Sequence, residues 1–159
     1  GKPLVTHALD LLRPQVEELL IIGDPATYGH LGPLTLADDW PGQGPLGGIL
    51  TALRYALNDD LIVLACDMPN LNGRFLERLV SLAEPDYDAV VAQCDGRLQP
   101  LAGVYRRRCR AIFAEQLDAG ERKMSDALER VHTRYVQVCP GEEGWPQDLF
   151  RNINTPSDL

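Results

Sequence analysis

The stretch Leu61-Ile62-Val63-Leu64-Ala65-Cys66-Asp67-Met68-Pro69 decides the fold class. It opens with a run that is apolar at every position, which is typical of a central parallel strand covered on both faces. The run ends at Asp67, and Pro69 then directs the chain out of the strand. We therefore predict a strand over residues 61–65 with an acidic residue just beyond its carboxyl end.

Segments of helical and strand periodicity alternate on both sides of this strand. We predict helices at residues 3–13, 49–57, 72–82, 108–117 and 125–131, and further strands at 18–22, 34–36, 88–92, 98–105 and 134–138. Within the strand 98–105, Pro100 favours an edge position or a bulge, because proline cannot donate to a ladder. The alternation indicates an α/β fold with a mostly parallel sheet, and the 159 residues suit one domain.

Composition excludes several classes of partner and location. The net charge is −8, which repels nucleic-acid backbones and anionic membranes, so we expect no nucleic-acid partner and no membrane partner. We expect neither a transmembrane helix nor a signal peptide.

The four cysteines (Cys66, Cys94, Cys109 and Cys139) form no CxxC pair and no zinc pattern. We expect all four to be free thiols, with Cys66 in the core. Buried free thiols favour a reducing compartment, and hence a cytoplasmic location.

Asp67 is the strongest candidate for chemistry. In open parallel sheets, ligands bind at the carboxyl ends of the strands. A carboxylate there suits Mg²⁺, which takes one or two carboxylates together with substrate phosphates. The alternative is that Asp67 only caps the helix that follows.

A second candidate is the glycine-rich stretch Gly44-Pro45-Leu46-Gly47-Gly48. Glycines allow a backbone to approach a ligand closely, and a helix N-terminus favours negative charge. The stretch matches neither a Walker motif nor GxGxxG. A tight loop whose glycines serve packing explains it equally well.

A third candidate is Asn152-Ile153-Asn154. Two asparagines spaced by two point to the same side of an extended segment, and each offers a donor and an acceptor. The alternative is a plain helix N-cap at Asn154 or Thr155.

Basic residues give weaker signals. Arg122-Lys123 could reach a phosphate, although a surface turn explains the pair as well. The arginines at positions 106, 107, 108 and 110 are typical of a solvated helix start.

Taken in order, these segments resemble the molybdenum cofactor guanylyltransferase (MobA-type) branch of the small nucleotidyltransferases. The resemblance is carried by Gly1-Lys2-Pro3-Leu4, Asp38, Gly44-Pro45-Leu46-Gly47-Gly48, Cys66-Asp67-Met68-Pro69, Gln99-Pro100-Leu101, Ala119-Gly120-Glu121-Arg122-Lys123 and Asn152-Ile153-Asn154-Thr155-Pro156. Each motif is short, but their order and spacing agree over the whole chain.

The resemblance implies a Rossmann-like, three-layer α/β/α fold and a Mg²⁺-dependent enzyme. Members of this family transfer GMP from GTP to the terminal phosphate of molybdopterin and release pyrophosphate. GTP and molybdopterin are then the substrates, other proteins of molybdenum cofactor biosynthesis are expected partners, and a monomer or weak oligomer is expected.

The resemblance also implies roles for individual residues. Asp67 would be catalytic as the metal ligand, Asp38 and Gly44 to Gly48 would line the guanine nucleotide site, Asn152 and Asn154 would lie near the metal or the molybdopterin phosphate, and Arg122 and Lys123 would lie on the pterin side.

The sequence departs from the family at its beginning. The family starts with a strand and a glycine-rich loop that cradles phosphate, and neither is present here, so we expect a fragment that lacks its first, central strand. The alternatives are a CTP-dependent molybdopterin cytidylyltransferase, a sugar-phosphate nucleotidyltransferase, and a catalytically inactive α/β nucleotide-binding module.

Overall fold

Helices and strands alternate along residues 2–154, the part of the chain that this computed structural model describes. The helices are α1 (Leu4–Leu12), α2 (Pro25–Tyr28), α3 (Gly44–Tyr55), α4 (Gly73–Ser81), α5 (Cys109–Asp118) and α6 (Met124–Glu129). The strands are β1 (Leu20–Ile22), β2 (Leu34–Leu36), β3 (Asp60–Leu64), β4 (Ala89–Cys94), β5 (Arg97–Arg106) and β6 (Thr133–Gln137). Every element predicted within residues 2–154 is present; β2 has the predicted ends, and the ends of the other elements are shifted.

Two local features differ from the prediction. The short helix α2 lies partly where only loop was predicted, and Asp24 caps it by accepting a hydrogen bond from the Ala26 N–H at 3.0 Å. Helix α3 begins at Gly44 and ends at Tyr55. Leu57, the last residue of the predicted helix, therefore lies beyond the observed one and is 85% exposed.

The main sheet has the strand order β3-β5-β4-β6. Strand β5 is antiparallel to β3 and to β4, whereas β6 is parallel to β4. Strands β3, β4 and β6 therefore share one direction, and β1 and β2 form a separate parallel pair. This confirms the predicted mostly parallel sheet, with β5 as the strand of opposite direction.

Apolar clusters cover both faces of the main sheet. Val90 and Ala92 of β4 face one cluster together with α4, and the leucines at the end of α1 pack against it. Ala89 and Val91 face the other cluster, which is formed with α3, α5 and α6. Because neighbouring residues of a strand point to opposite faces, the helices form two outer layers. The three-layer α/β/α architecture is confirmed.

Strand β5, and not β3, has paired neighbours on both sides in the main sheet. Within residues 2–154, β3 pairs only with β5, and its residues Leu61–Leu64 are half-buried. The prediction of β3 as a central strand is therefore not met by the described residues. Its other edge faces an apolar cleft, which explains why its side chains are apolar on both faces.

Pro100 lies in a bulge of β5. Opposite consecutive residues of β4, the partner on β5 jumps from Gly103 to Gln99. The carbonyl oxygen of Pro100 accepts a hydrogen bond from the buried Tyr105 hydroxyl at 2.6 Å. The bulge is confirmed, and the edge position is wrong because β5 has a strand on each side.

The cysteines do not behave as predicted. Cys94 and Cys139 form a disulfide, because each follows the paired ends of the parallel strands β4 and β6 and their Cα atoms lie 5.0 Å apart. Cys66 is exposed and is not a core residue, since it lies beyond the end of β3. Only Cys109 is a buried free thiol, and burial raises its pKa to about 12. The cysteines as a set therefore give no support for a reducing compartment.

Helix length and polarity bear on membrane insertion. Among the helices of residues 2–154, none combines the length and the apolar character that crossing a bilayer requires.

Asp88 holds together the starts of β4 and β6, and its removal should weaken the sheet. Its carboxylate accepts a hydrogen bond from the His132 N–H at 2.8 Å and pairs with Arg108. Burial opposes its charge, but these hydrogen bonds outweigh burial and lower its pKa below the ordinary 3.8. We expect Asp88→Asn to reduce the free energy of unfolding at pH 7 by about 1–3 kcal/mol, measured by urea denaturation.

The same substitution should show a defined pH dependence. A lowered carboxylate pKa stabilises the fold fully above the ordinary value and loses that effect as the pH falls through the folded value. The difference between wild type and Asp88→Asn should therefore shrink below pH 3.8. Asp86→Asn, at an exposed neighbouring carboxylate, is the control and should change little. A difference that stays constant down to pH 2 would show that the charge of Asp88 is not what stabilises this junction.

Candidate functional site

Strands β1 and β3 begin at the same end of the molecule. The carboxylate of Glu18, just before β1, accepts hydrogen bonds from the Leu57 N–H and the Asn58 side-chain amide, each at 3.0 Å. Leu57 and Asn58 lie just before β3. The two strands therefore run in the same direction, and their carboxyl ends lie at the other end.

A cleft of about 1100 Å³ lies between β1 and β3. The end of the cleft that lies at the carboxyl ends of β1 and β3 is lined by Gly23, Asp38, Gly44, Pro45, Gly48 and Asp67. The structure thus brings together the predicted acidic residues and three residues of the glycine-rich stretch. This is the edge at which open α/β sheets bind ligands.

Asp67 is a half-buried residue just beyond β3. It does not cap the following helix, because Asn72 does so by accepting a hydrogen bond from the Phe75 N–H at 3.0 Å. The backbone carbonyl of Asp67 accepts a hydrogen bond from the Ile153 N–H at 2.8 Å. The capping alternative is therefore wrong, and the Asp67 side chain is left for a role at the cleft.

The hydrogen bond to Ile153 places the Asn152-Ile153-Asn154 segment beside Asp67. Asn152 and Asn154 flank Ile153 and are both exposed at this edge. The structure therefore joins two motifs that stand 85 positions apart in the sequence, which is the separation of Asp67 and Asn152. Thr155 and the helix start predicted after it lie outside the described residues.

Arg74 on α4 fixes the path of this C-terminal segment. Its guanidinium donates hydrogen bonds to the carbonyl oxygens of Glu143 and Gly144, each at 3.0 Å, and lies 4.1 Å from the centre of a Trp145 ring. Phe75, the next residue, contacts the rings of Trp145 and Phe150 edge to face. Sequence reasoning missed Arg74, because nothing local distinguishes it from a solvated helix arginine.

Asp38 anchors the loop that leads into α3. Its Oδ1 accepts a hydrogen bond from the Trp40 N–H at 2.9 Å and lies 3.0 Å from the Thr51 hydroxyl. Thr51 is fully buried, and its hydroxyl also accepts a hydrogen bond from the Asp39 N–H. Asp38 therefore shapes the site as well as lining it. Thr51 was not predicted, because its sequence signal is only one polar residue on an apolar helix.

The residues of the glycine-rich stretch have two different roles: some are packed in the core, and the others line the cleft. Leu46 and Gly47 are buried, and a Cβ at Gly47 would lie 2.7 Å from the Trp40 carbonyl oxygen. Packing therefore explains these two residues. Gly44 has a φ of +64° and begins α3, and a Cβ at Gly48 would meet open space. Gly44, Pro45 and Gly48 are the members that line the cleft.

The two basic segments lie at different ends of the molecule. Arg122 donates a hydrogen bond to the Gly42 carbonyl at 3.3 Å, so it lies beside the glycine-rich stretch. Lys123 is exposed and lies 3.7 Å from Asp126. In contrast, Arg106, near the start of β3, pairs with Asp60.

Arg108 and Arg110 are exposed at the start of α5, which agrees with the predicted solvated helix start, and three of the four arginines form ion pairs. Arg106, Arg107 and Arg108 pair with Asp60, Asp59 and Asp88, respectively. They lie near the amino ends of β3 and β4, away from Asp67, and they stabilise the sheet there.

The end of the cleft near Asp67 suits a cation that binds together with the phosphates of a substrate. In residues 2–154, the one compact group of three metal-binding side chains is Cys94, Asp95 and Cys139, and its cysteines form the disulfide. Asp67 and Asp38 do not belong to a group of three metal-binding side chains. This donor set fits Mg²⁺, which completes its coordination with waters and substrate phosphates.

Comparisons with known proteins agree with this arrangement. The model of the MobA-like NTP transferase domain matches residues 1–134. A probable molybdenum cofactor guanylyltransferase of Bacillus licheniformis is 36% identical over 163 residues, which cover all of this chain and 82% of the relative.

Solved structures show the same fold. Molybdopterin-guanine dinucleotide biosynthesis protein A of Archaeoglobus fulgidus has a TM-score of 0.78 and 26% identity, with 99% of this chain and 82% of that chain covered. The 2-C-methyl-D-erythritol 4-phosphate cytidylyltransferase of Thermus thermophilus has a TM-score of 0.72 and 17% identity, with 99% of this chain and 86% of that chain covered. The second likeness shows the fold alone.

Proposed function

The chain belongs to the MobA-like NTP transferase family, and we propose that it transfers GMP from GTP to the terminal phosphate of molybdopterin. In this reaction a phosphate oxygen of the pterin attacks the α-phosphorus of GTP. The bond from that phosphorus to the β-phosphate oxygen breaks, and pyrophosphate leaves. The chain is a nucleotidyltransferase, and its curated relatives are named as guanylyltransferases.

The observation that carries the proposal is the position of Asp67. It lies at the carboxyl end of β3, in the cleft that Asp38 also lines, and beside the asparagine segment. Two carboxylates in the cleft of a net acidic chain would repel a triphosphate unless a cation came with it. We therefore assign Mg²⁺ to this site, with Asp67 as its ligand, to neutralise phosphate charge when bound.

The remaining residues hold the substrates. Gly44 and Pro45 begin α3, and Gly48 follows one turn later. Pro45 has no N–H, so the backbone N–H of Gly44 and the helix dipole are what favour phosphate or a base edge at this helix start. Leu46 and Gly47 act by packing that turn against Trp40. In this proposal, Asn152 and Asn154 orient the acceptor phosphate near Asp67.

Arg122 and Lys123 are assigned to the pterin side. Arg122 donates to the Gly42 carbonyl and Lys123 follows it in the chain, and neither residue lines the cleft. Two cations at the rim can attract an anionic substrate to a chain of net charge −8. A cytoplasmic location, a monomer or weak oligomer, and other molybdenum cofactor biosynthesis proteins as partners complete the proposal.

GTP should be preferred over CTP. The curated relatives are named as guanylyltransferases, whereas the cytidylyltransferase is similar only in fold. In calorimetric titrations with Mg²⁺, the protein should bind GTP at least about ten times more tightly than CTP, a difference of about 1.4 kcal/mol. Equal or tighter binding of CTP would favour the cytidylyltransferase, and binding of neither nucleotide would favour an inactive module.

A further inference from the structure

The ends of β4 and β6 bring three side chains with metal-binding atoms together. These are Cys94, Asp95 and Cys139, and their two sulfurs and a carboxylate oxygen all lie within 4.8 Å of one another. The Sγ of Cys94 lies 3.7 Å from Oδ2 of Asp95. Both cysteines are half-buried and Asp95 is exposed, so solvent and ions reach the group directly. None of the three residues lines the cleft between β1 and β3.

The backbone holds the two cysteines together independently of the disulfide. Strands β4 and β6 pair in parallel up to Gln93 and Gln137, and the Val138 N–H donates a hydrogen bond to the Gln93 carbonyl at 3.0 Å. The Cα atoms of Cys94 and Cys139 consequently lie 5.0 Å apart. When the S–S bond is reduced, these backbone hydrogen bonds remain, and the two thiols stay next to each other.

Asp95 is held in place by the turn that joins β4 to β5. Asp95 and Gly96 have φ angles of +49° and +75°, and Cys94 and Arg97 on either side of them are paired. Two left-handed residues between antiparallel strands form the tight hairpin turn for which Asn-Gly and Asp-Gly are preferred. Asparagine would serve this turn as well, so the turn does not require the carboxylate. In the described part of the chain, no lysine or arginine forms an ion pair with Asp95.

The distances between the donor atoms suit a tetrahedral zinc ion. With Zn–S bonds of about 2.3 Å and a Zn–O bond of about 2.1 Å, a sulfur and an oxygen ligand lie about 3.6 Å apart, and two sulfurs about 3.8 Å. The distance from Cys94 Sγ to Asp95 Oδ2 is already 3.7 Å. Once the S–S bond is broken, rotation about the Cα–Cβ bonds lets the two sulfurs separate. Zinc accepts thiolates and a carboxylate together, whereas Mg²⁺ prefers oxygen ligands and Cu⁺ prefers sulfur ligands.

We propose that Cys94, Asp95 and Cys139 form a zinc site when the disulfide is reduced. A dithiol reductant gives two electrons and two protons to the disulfide and is itself oxidised to a disulfide. The two protein thiols then release their protons to solvent, and both thiolates and the Asp95 carboxylate bind Zn²⁺, with water in the fourth position. Two thiolates and a carboxylate would repel one another, so this arrangement is favourable only with a cation between them.

The zinc site would join three parts of the structure. Cys94 ends β4, Asp95 lies in the turn to β5, and Cys139 begins the segment that leads to Ile153 beside Asp67. The site lies at the same edge of the main sheet as Asp67, because β3, β4 and β6 share one direction. Strands β4 and β6 are two and three strands away from β3, or about 10–14 Å at the usual strand spacing. The zinc ion would therefore hold the β4–β5 turn to the start of the C-terminal segment and would be separate from the Mg²⁺ proposed at Asp67.

Metal titration of the reduced protein tests the proposal without any measurement of transfer. The protein is reduced with a dithiol, freed of the reductant without air, and titrated with Zn²⁺ in competition with a chromophoric chelator. The reduced chain should bind a single Zn²⁺ ion at least about a hundred times more tightly than the disulfide form, because only thiolates are strong ligands. Co²⁺ should give the charge-transfer absorbance of thiolate ligands, and Zn²⁺ should raise the melting temperature of the reduced chain only.

Matched variants, each confirmed as folded by circular dichroism, make the result specific to the three residues. Asp95→Asn keeps the turn and should weaken zinc binding at least about tenfold, the smallest effect expected even for an outer-shell partner. Asp118→Asn, at another exposed carboxylate, should leave zinc binding unchanged. Cys139→Ser should weaken zinc binding at least about a hundredfold and lower the Co²⁺ charge-transfer absorbance. Cys66→Ser removes the exposed thiol beyond β3 and should change neither.

Three results would overturn the proposal. The first is zinc binding by the reduced chain that is no tighter than binding by the disulfide form. The second is zinc binding by Asp95→Asn that equals that of the wild type. The third is loss of zinc binding in Cys66→Ser, which would place the metal elsewhere. Because no measurement reads transfer activity, the proposed function can fail while this proposal holds, and the reverse.

Discussion

Asp67→Asn should lower guanylyl transfer by a factor of at least about one hundred while the protein stays folded. The substitution keeps the size of the side chain and removes its charge at the carboxyl end of β3. Loss of one electrostatic stabiliser of a transition state has this scale of effect. Because Asn72 caps α4 and the Asp67 contact with Ile153 is made by the backbone, neither is lost in the variant.

The measurement is the rate of GMP transfer per folded molecule, with Mg²⁺-dependent GTP binding by calorimetry and thermal unfolding without metal. The melting temperature should be unchanged or raised, because the variant removes one of the two negative charges, Asp38 and Asp67, that line the same cleft. Asp59→Asn is the matched control, because Asp59 lines the same cleft at its other end and is exposed. A variant that unfolds yet keeps its activity per folded molecule would show that Asp67 has a structural role.

Phe75→Ala should cost about 3–5 kcal/mol of unfolding free energy, the range for removing a buried aromatic side chain. Phe75 is fully buried and meets Trp145 and Phe150 edge to face. Both rings belong to the segment that carries Asn152 and Asn154 to Asp67. The cavity should therefore loosen the segment as well as the core, and transfer per folded molecule should fall with stability.

Phe113→Ala separates these two effects. Phe113 is equally buried, but it lies in the cluster on the other face and contacts Tyr105. We expect a similar loss of stability by urea denaturation, with transfer per folded molecule near that of the wild type. If both variants lose the same activity per folded molecule, the ring contacts of Phe75 do not position the C-terminal segment.

Local signals predicted much of this structure. Strand β3 and the helix capped by Asn72 were found because hydrophobic periodicity and capping residues act over a few positions. The resemblance carried by the order of the motifs also predicted that Asp67, Asp38 and the asparagine segment lie near one binding site. The glycine-rich stretch was harder, because a glycine needed for packing and one needed for ligand approach look the same in sequence.

The features that were missed depend on contacts between distant residues. Arg74 bonds to carbonyls 69 and 70 positions away, and Thr51 bonds to Asp38 across 13 positions. The disulfide pairs cysteines that only the register of β4 and β6 brings together. The half-buried state of β3 was missed because an apolar run does not indicate how many of its edges are paired.

The Cys94–Cys139 bond also affects the unfolded chain. It closes a loop over a separation of 45 residues, and this loop contains β5, α5, α6 and β6 together with the end of β4. In the chain-entropy model, such a closure restricts the denatured ensemble by about 4 kcal/mol at 25 °C. The bond therefore limits the conformations that less than a third of the 159-residue chain can adopt before it folds. Reduction of the disulfide would leave the hydrogen bonds between β4 and β6 in place. It would increase the conformational entropy of the denatured chain and so lower the free energy of unfolding.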